Sequence, residues 1–430
     1  MAEPFPLEPS LWAATANAAP PTPALEDSAS ADVVIIGAGY AGLSTALHLA
    51  ERGVKAIVLD AHAPGFGGSG RNGGQVIPGL KYDPDELEAM FGADRGRRLV
   101  DFVGRTADVV FDLIEKHEMD VPRQRKGWIQ GAHTPAGLDL VKQRADQWTR
   151  RGVVGARDLS ADDVGQLVGT DKYLGGWVDP RGGAIQPLSY ARGLTRAALA
   201  AGASIHGESP VKNLARNGGK WVAMTHSGAR VTADRAVVAT GGYTGDLVPK
   251  LRTTVITPNS FQIATAPLSD NVARSILPEG HAISDTRQLL FYFRRDHTGR
   301  FLMGGRGPFR EPKGPADWAH LERIATKLFP QLKDVPIEFR WCGRVTLTRD
   351  FLPHLHAPAP GLLVDIGCMG RGIGLQSALG VAIAEYVATG REDALPLPIV
   401  PMRSLPFHAL HRAYLAAIVA WYRMQNGGLA

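Results

Sequence analysis

One stretch near the amino terminus restricts this chain more than any other: Val33-Val34-Ile35-Ile36-Gly37-Ala38-Gly39-Tyr40-Ala41-Gly42. Asp32–Ile36 is a Val- and Ile-rich run that stops at a glycine, as a buried parallel strand does. Helical spacing follows over Gly42–Arg52, with Leu43, Ala46, Leu47 and Ala50 on one face, and Ala56–Leu59 reads as a second strand. Asp60 closes that strand, with Ala61 beside it. Gly37, Gly39 and Gly42 have the spacing that allows a tight turn, lets backbone meet a pyrophosphate and packs helix on strand. The helix start at Tyr40 and Ala41 adds about half a positive charge. An acid about 20 residues further on is placed to bond a ribose hydroxyl. A glycine turn in an unrelated α/β fold leaves Asp60 unexplained, so the stretch predicts a dinucleotide-binding βαβ unit.

Two further glycine clusters decide which dinucleotide. Gly67-Gly68-Ser69-Gly70-Arg71-Asn72-Gly73-Gly74-Gln75 falls where a nicotinamide fold would continue into another βα unit. Its few side chains are hydroxyl, guanidinium and amide groups, which suits backbone running along a flat polar ring; the alternative is a flexible loop. Gly367-Cys368-Met369-Gly370-Arg371-Gly372-Ile373-Gly374 lies near the other end of the chain, after a strand and before a helix. A helix start there would stabilise negative charge on a reduced flavin. Clusters so far apart in sequence share one ligand only if it is long, and FAD is long.

The remaining composition narrows the class. Of 430 residues 44% are hydrophobic and 21% charged, which supplies a core and argues against disorder. That length favours two interleaved domains. The net charge of +5 is dispersed, so nucleic acid is not an expected partner, whereas an anionic substrate or an acidic membrane surface suits it. Two cysteines, Cys342 and Cys368, imply a reducing compartment. No apolar run reaches the roughly 18 residues of a membrane span. Residues 1–30 carry Glu3, Glu8, Glu26 and Asp27 and no basic residue, unlike a signal peptide, so the expected location is cytoplasmic.

Residues 1–30 read as an extended surface arm. Residues 85–117 and 134–168 read as mostly helical, Trp128–Gln130 and Gly175–Val178 as short strands, and Leu188–Ala201 as a helix. Ser209–Arg230 is a strand–turn–strand, and Ala236–Thr240 another buried strand. From Thr253 to Arg344 the pattern turns to hairpins, including Leu289–Arg294 and Phe301–Gly304. Leu362–Ile366 and Gly374–Ala388 read as a last strand and core helix. The fold class is therefore α/β: a discontinuous Rossmann-type FAD-binding domain (31–120, 185–250, 345–400) with a mostly antiparallel β-sheet substrate domain (121–184, 251–344).

These motifs carry a resemblance. The strand-glycine opening, the Gly-x-Ser-Gly-Arg-Asn-Gly-Gly-Gln run, Ala239-Thr240-Gly241 and the C-terminal glycine cluster resemble the D-amino-acid oxidase and glycine oxidase superfamily. Ser10-Leu11-Trp12-Ala13-Ala14-Thr15-Ala16 is similar to the subgroup containing gamma-glutamylputrescine oxidoreductase and bacterial L-pipecolate oxidases. The resemblance implies that Val211 covers adenine and that Thr240 and Gly241 pass the adenosine and diphosphate. Some relatives attach FAD through a cysteine; aligning on Thr346-Leu347-Thr348-Arg349-Asp350 puts that position at Gly343, which implies non-covalent FAD. Some also carry a lysine where this chain has Gly374, so that lysine's chemistry does not carry over.

Oxidising an amine at a flavin needs orientation more than acid–base groups, because hydride leaves the carbon next to nitrogen for N5. A carboxylate-binding Arg and an aromatic or hydroxyl group on substrate-domain strands are expected. In Leu290-Phe291-Tyr292-Phe293-Arg294-Arg295, alternation puts Tyr292 and Arg294 on one face; a core Tyr and a solvent-facing Arg are the ordinary alternative. Arg344, in Trp341-Cys342-Gly343-Arg344, would bind carboxylate or hold a domain crossing. Arg371 would reach substrate or flavin. His354 and His356 lack a third ligand, so no metal is expected.

Pro406–Arg423 reads as an amphipathic helix: Phe407, Leu410, Tyr414, Leu415, Ile418, Trp421 and Tyr422 against His408, His411, Arg412 and Arg423. It packs on the core, or it rests peripherally on a membrane with electrons passing to a respiratory chain instead of O2. The sequence thus points to an FAD-dependent oxidase or dehydrogenase of a small amine or amino acid. Its rivals are a flavin monooxygenase, an NAD(P)H-dependent flavin reductase, and a non-catalytic flavin-binding subunit. A bound NAD(P)H would call for a second Gly-x-Gly-x-x-Gly after a strand, and the sequence has none.

Overall fold

Ala29–Ile36 is a strand buried throughout its last four residues, and parallel neighbours flank it on both sides, Ala56–Leu59 and Arg230–Val238. Ser204–His206 extends the parallel order. The far edge of Arg230–Val238 is shared: its first half pairs with the hairpin Val211–Asn217, Lys220–Thr225, and Ala236–Val238 pairs with Leu362–Ile366. Strands buried on both faces require helical cover. Tyr40–Ala50 and Gly372–Thr389 supply part of it and pack on each other. Gly380 makes their approach possible, since a Cβ there would lie 2.5 Å from Ser44 Cβ and 2.8 Å from the Ala41 carbonyl oxygen.

A second sheet orders eight strands as Ile337–Arg344, Asn259–Pro267, Arg300–Arg306, Tyr292–Arg295, Ala282–Asp285, Trp128–Ala132, Gly175–Asp179 and Arg157–Leu159. Its neighbours are antiparallel except Ala282–Asp285 with Trp128–Ala132. The first sheet draws its strands from 29–59, 204–238 and 354–366, and the second from 128–179 and 259–344. The architecture is α/β, with a discontinuous Rossmann-type unit and a mostly antiparallel second sheet. This computed structural model describes residues 5–425, the side chains of 412, 413, 417, 420 and 423–425 excepted.

Local departures from the sequence reading have physical causes. Residues 134–168 are mostly helical, as read, but the helices Pro135–Arg150 and Ala161–Val168 enclose an unforeseen edge strand, Arg157–Leu159. The strand expected from Leu289 starts only at Tyr292. The amino-terminal segment is no simple surface arm, because Leu11–Thr15 forms a short helix that buries Leu11 and Trp12 completely. Ser10 caps it, accepting from the Ala13 amide at 3.1 Å. At the other end His411–Gln425 is helical, yet Phe407, Leu410, Tyr414, Ile418 and Trp421 are exposed, so the expected packing on the core is not found there. The side chains of Arg412 and Arg423 lie outside the described residues.

Candidate active site

All three glycine clusters open on one cavity of about 1180 Å³ lined from both sheets. Gly37, Gly39, Tyr40 and Ala41 line it, as do Asp60 and Ala61 at the end of the second strand. Gly37 holds φ +108°, and a Cβ there would meet the Ala239 carbonyl oxygen at 2.7 Å, so only glycine makes this turn. Asp60 is braced for its place: it accepts from the Ala38 amide at 2.6 Å and the His62 amide at 2.9 Å. Burial raises its pKa. Val211, Thr240 and Gly241 continue the wall. Gly42 does not line the cavity; a Cβ on it would sit 1.9 Å from the Gly37 carbonyl oxygen, which makes it the packing glycine of the motif.

The loop from Gly67 to Gln75 is the opposite of flexible. Asn72 Nδ2 donates to the Gly68 and Ser69 carbonyls at 3.1 and 2.9 Å, and its Oδ1 accepts from the Gly74 amide at 2.8 Å. Trp12 and Trp341 donate through their indole nitrogens to the Asn72 and Arg71 carbonyls at 2.7 and 3.0 Å. Gln75 Nε2 reaches the Ile283 and Phe293 carbonyls of the second sheet at 3.0 and 3.1 Å. Gly68, Ser69, Asn72, Gly73 and Gln75 line the cavity. Gly70 and Gly74 do not, because they pack against Gly65 and against Arg294 and Ile185. Arg71 reaches the cavity wall, but its guanidinium is turned to the carbonyls of Phe66, Phe5 and Pro6 and stacked over Phe66 at 4.5 Å. It scaffolds the loop.

At the far end Gly343, Gly370, Arg371, Gly372 and Ile373 line the same space. The helices that begin at Tyr40 and at Gly372 both lack a side-chain cap from their N-cap residue; the Tyr40 amide is taken by the Ser69 hydroxyl at 3.0 Å, and the first turns of both helices lie on the cavity wall. Three buried acceptors on the wall lack a partner among the described residues: Gln75 Oε1, Thr240 Oγ1 and Asp365 Oδ1. Helix starts on the wall, orphaned polar atoms and an elongated cavity between glycine turns fit a long, polar, doubly anionic ligand. FAD is such a ligand.

Of the substrate-side expectations, Tyr292 lines the cavity. Its ring is seated between Gly73 and Gly304, where Cβ atoms would come within 2.5 and 2.1 Å of it, and its hydroxyl shares a 2.8 Å hydrogen bond with Ser260. Burial pushes the phenol up to about 12. Arg294 does not line the cavity. It is fully enclosed, donating to the Gly73 and Ile185 carbonyls at 2.8 and 2.7 Å and lying over Trp12 at 5.0 Å. The two share a sheet face, but Arg294 lies beneath the Gly73–Gly74 backbone, which shields it from the cavity. Arg344 lines the cavity with its charge already countered by Glu311 at 2.8 Å and its guanidinium over Tyr243 at 5.2 Å. Arg371 donates to the Pro78 carbonyl and lies over Trp128 at 5.4 Å; burial lowers its pKa to about 9. His354 pairs with Asp350 and His356 with the Val400 carbonyl, at 2.9 and 2.7 Å.

The sequence reading missed Lys81, Trp128, Ser260, Arg306 and Asp365, all on the wall. Asp365 carried a signal, a lone carboxylate in the otherwise apolar run Leu362–Ile366. Burial raises its pKa to about 7. An acid near 3.9 unfolded and about 7 folded holds its proton more tightly in the folded chain. Its contribution is therefore full below pH 4 and is lost as pH rises through 7. In the cofactor-stripped protein, Asp365→Asn should remove that component. The wild-type melting temperature then falls relative to the variant's between pH 4.5 and 8, and parallel curves would refute the assignment.

The model of the family of FAD dependent oxidoreductases matches residues 32–386. The chain belongs to that family. It is 33% identical over 418 residues to gamma-glutamylputrescine oxidoreductase of Escherichia coli K12, covering 94% of this chain and 96% of that one. It is 32% identical over 420 residues to probable oxidoreductase OrdL of Rhizobium meliloti, covering 97% of each. The glycine oxidase of Geobacillus kaustophilus superposes with a TM-score of 0.72 at 20% identity, over 88% of this chain and 99% of that one, which shows a shared fold. In this FAD dependent oxidoreductase the cavity wall carries the free thiol of Cys368, to which the Thr346 hydroxyl donates at 3.5 Å. Gly343 brings no thiol to the wall, and Cys342 turns its side chain into the core of the second sheet, where burial pushes it up to about 12.

Proposed function

We propose that the enzyme oxidises a small amine or amino acid carrying a carboxylate. The substrate is a cyclic secondary amino acid such as L-pipecolate, or a gamma-glutamylated amine. The observation that carries this reading is the rest of the cavity wall, which offers the aromatic rings of Trp128 and Tyr292, the cations Lys81 and Arg371 beside Trp128, and Arg306 at a separate end. The likeness to gamma-glutamylputrescine oxidoreductase agrees with it. When bound, FAD would supply the two-electron oxidation of the carbon–nitrogen bond of the amine, with water then hydrolysing the imine product. The chain's own residues orient the substrate: aromatic rings fix its plane, and cations receive its carboxylate.

A monooxygenase or an NAD(P)H-dependent reductase finds no second nucleotide motif in the sequence, and a purely flavin-carrying subunit would show no turnover. Anaerobic mixing with D- and L-amino acids, N-methyl and cyclic amino acids and polyamine conjugates should bleach the flavin band near about 450 nm with at least one class. Bleaching by NADH or NADPH alone, or by none of these, would overturn the proposal.

The electrons then pass to O2 or to a membrane respiratory chain. The exposed stripe Phe407, Leu410, Tyr414, Ile418 and Trp421 supports peripheral contact with the membrane. Full-length enzyme should sediment with anionic lipid vesicles, and a chain lacking residues 404–430 should not. Enzyme that stays in the supernatant in both forms would overturn the membrane contact.

A further inference from the structure

Lys81 stands in the cavity as an ammonium without a counterion. Gly79, at φ +83°, turns the chain after Pro78, and its amide bonds the Val103 carbonyl at 2.8 Å. That turn sends Leu80 into the core and leaves Lys81 open to the cavity. Among the described residues no carboxylate or other acceptor pairs with it. The acids nearby are taken: Asp83 receives Arg144 through Nε and through Nη2 at 3.1 Å, and Asp179 receives Arg181 at 2.6 Å. The charged groups that bear on Lys81 are Arg371 and Arg144, both cations.

Two cations, Lys81 and Arg371, thus face one space walled by Trp128, Gln130 and Ile77. Lys81 is exposed to the open cavity, and like charges that share such a space repel until an anion joins them. The surrounding walls and the two guanidinium groups lower its pKa to about 8. This locus is separate from the Arg306 end. Arg300–Arg306 and Trp128–Ala132 are three strand positions apart in the sheet, or roughly 14 Å at the usual spacing. At that other end Arg344 already has Glu311.

We propose that Lys81, with Arg371 beside it, is the carboxylate-binding residue of the substrate cavity, and that the substrate's acid group docks against Trp128. The inference rests on reading this cavity as the substrate site, but not on the amine being oxidised. Trp128 and Ile77 supply apolar cover for a planar carboxylate with a short organic body.

The test is calorimetric titration of the FAD-loaded enzyme with pyrrole-2-carboxylate and with pyrrole-2-carboxamide, which differ in charge and not in shape. Wild type should prefer the carboxylate by at least about tenfold. Lys81→Met should erase the preference to within about twofold, and Lys81→Arg should keep most of it. Flavin content and melting temperature in both variants should match wild type. A preference that survives in Lys81→Met, or one absent from wild type, overturns the proposal. Wild type that binds the carboxylate yet is bleached by no amine would sink the oxidase reading and leave this one standing.

Discussion

Gly42→Ala should purify colourless. A Cβ at this position would lie 1.9 Å from the Gly37 carbonyl oxygen and 3.3 Å from Ile35 Cγ2. The first of these is backbone inside the phosphate-facing turn, so it cannot rotate aside. Either the helix Tyr40–Ala50 withdraws from the strand Ala29–Ile36 or Gly37 swings into the cavity. The helix cannot withdraw freely, because Ser44 Oγ donates to the Ser377 carbonyl at 2.8 Å and Gly380 is pressed against Ala41 and Ser44. Overpacking of this kind costs about 3 kcal/mol, which is more than a hundredfold in FAD affinity if it falls on the turn. Gly314→Ala, where a Cβ meets nothing within 4 Å, should stay yellow. The measurement is bound flavin per chain, followed by titration of stripped protein with FAD. Wild-type flavin content in Gly42→Ala would remove the turn from the site.

That motif was legible because its function is local. Strand, turn and helix occupy consecutive residues, and the glycines are demanded by contacts within the same unit. The convergence of Gly367–Ile373 on the same cavity could also be reasoned, since one long ligand had to reach both clusters. What the sequence hid depends on partners distant in the chain. Arg71 looked like a flavin-facing cation inside a bare loop, yet the carbonyls it serves belong to Phe66, Phe5 and Pro6. Trp12 sits in what reads as a surface arm, but it donates to Asn72 and packs edge-on to Trp341 with ring centroids 5.7 Å apart. Lys81 has no periodic or motif context at all. Only the turn at Gly79, set by Val103 in another helix, aims it at the cavity.

Arg294 shows the same difficulty with a measurable consequence. Alternation along Tyr292–Arg295 correctly groups it with Tyr292, but period-two geometry says nothing about depth, and the Gly73–Gly74 backbone comes between Arg294 and the cavity. Burial lowers its pKa to about 10, so it remains a cation at neutral pH while its Nε and Nη2 hold the Gly73 and Ile185 carbonyls. Arg294→Met should therefore cost about 3 kcal/mol of stability: two charge-assisted bonds at about 1.5–3 kcal/mol each, partly offset by the relief of a buried charge. Arg294→Lys should cost less, because an ammonium can serve one carbonyl but not span both. The readouts are the denaturation midpoint and the binding of pyrrole-2-carboxylate to whatever fraction retains flavin. A lowered midpoint with unchanged carboxylate affinity fits the structural role. An unchanged midpoint with weakened carboxylate binding would restore Arg294 to the substrate site and displace Lys81 from it.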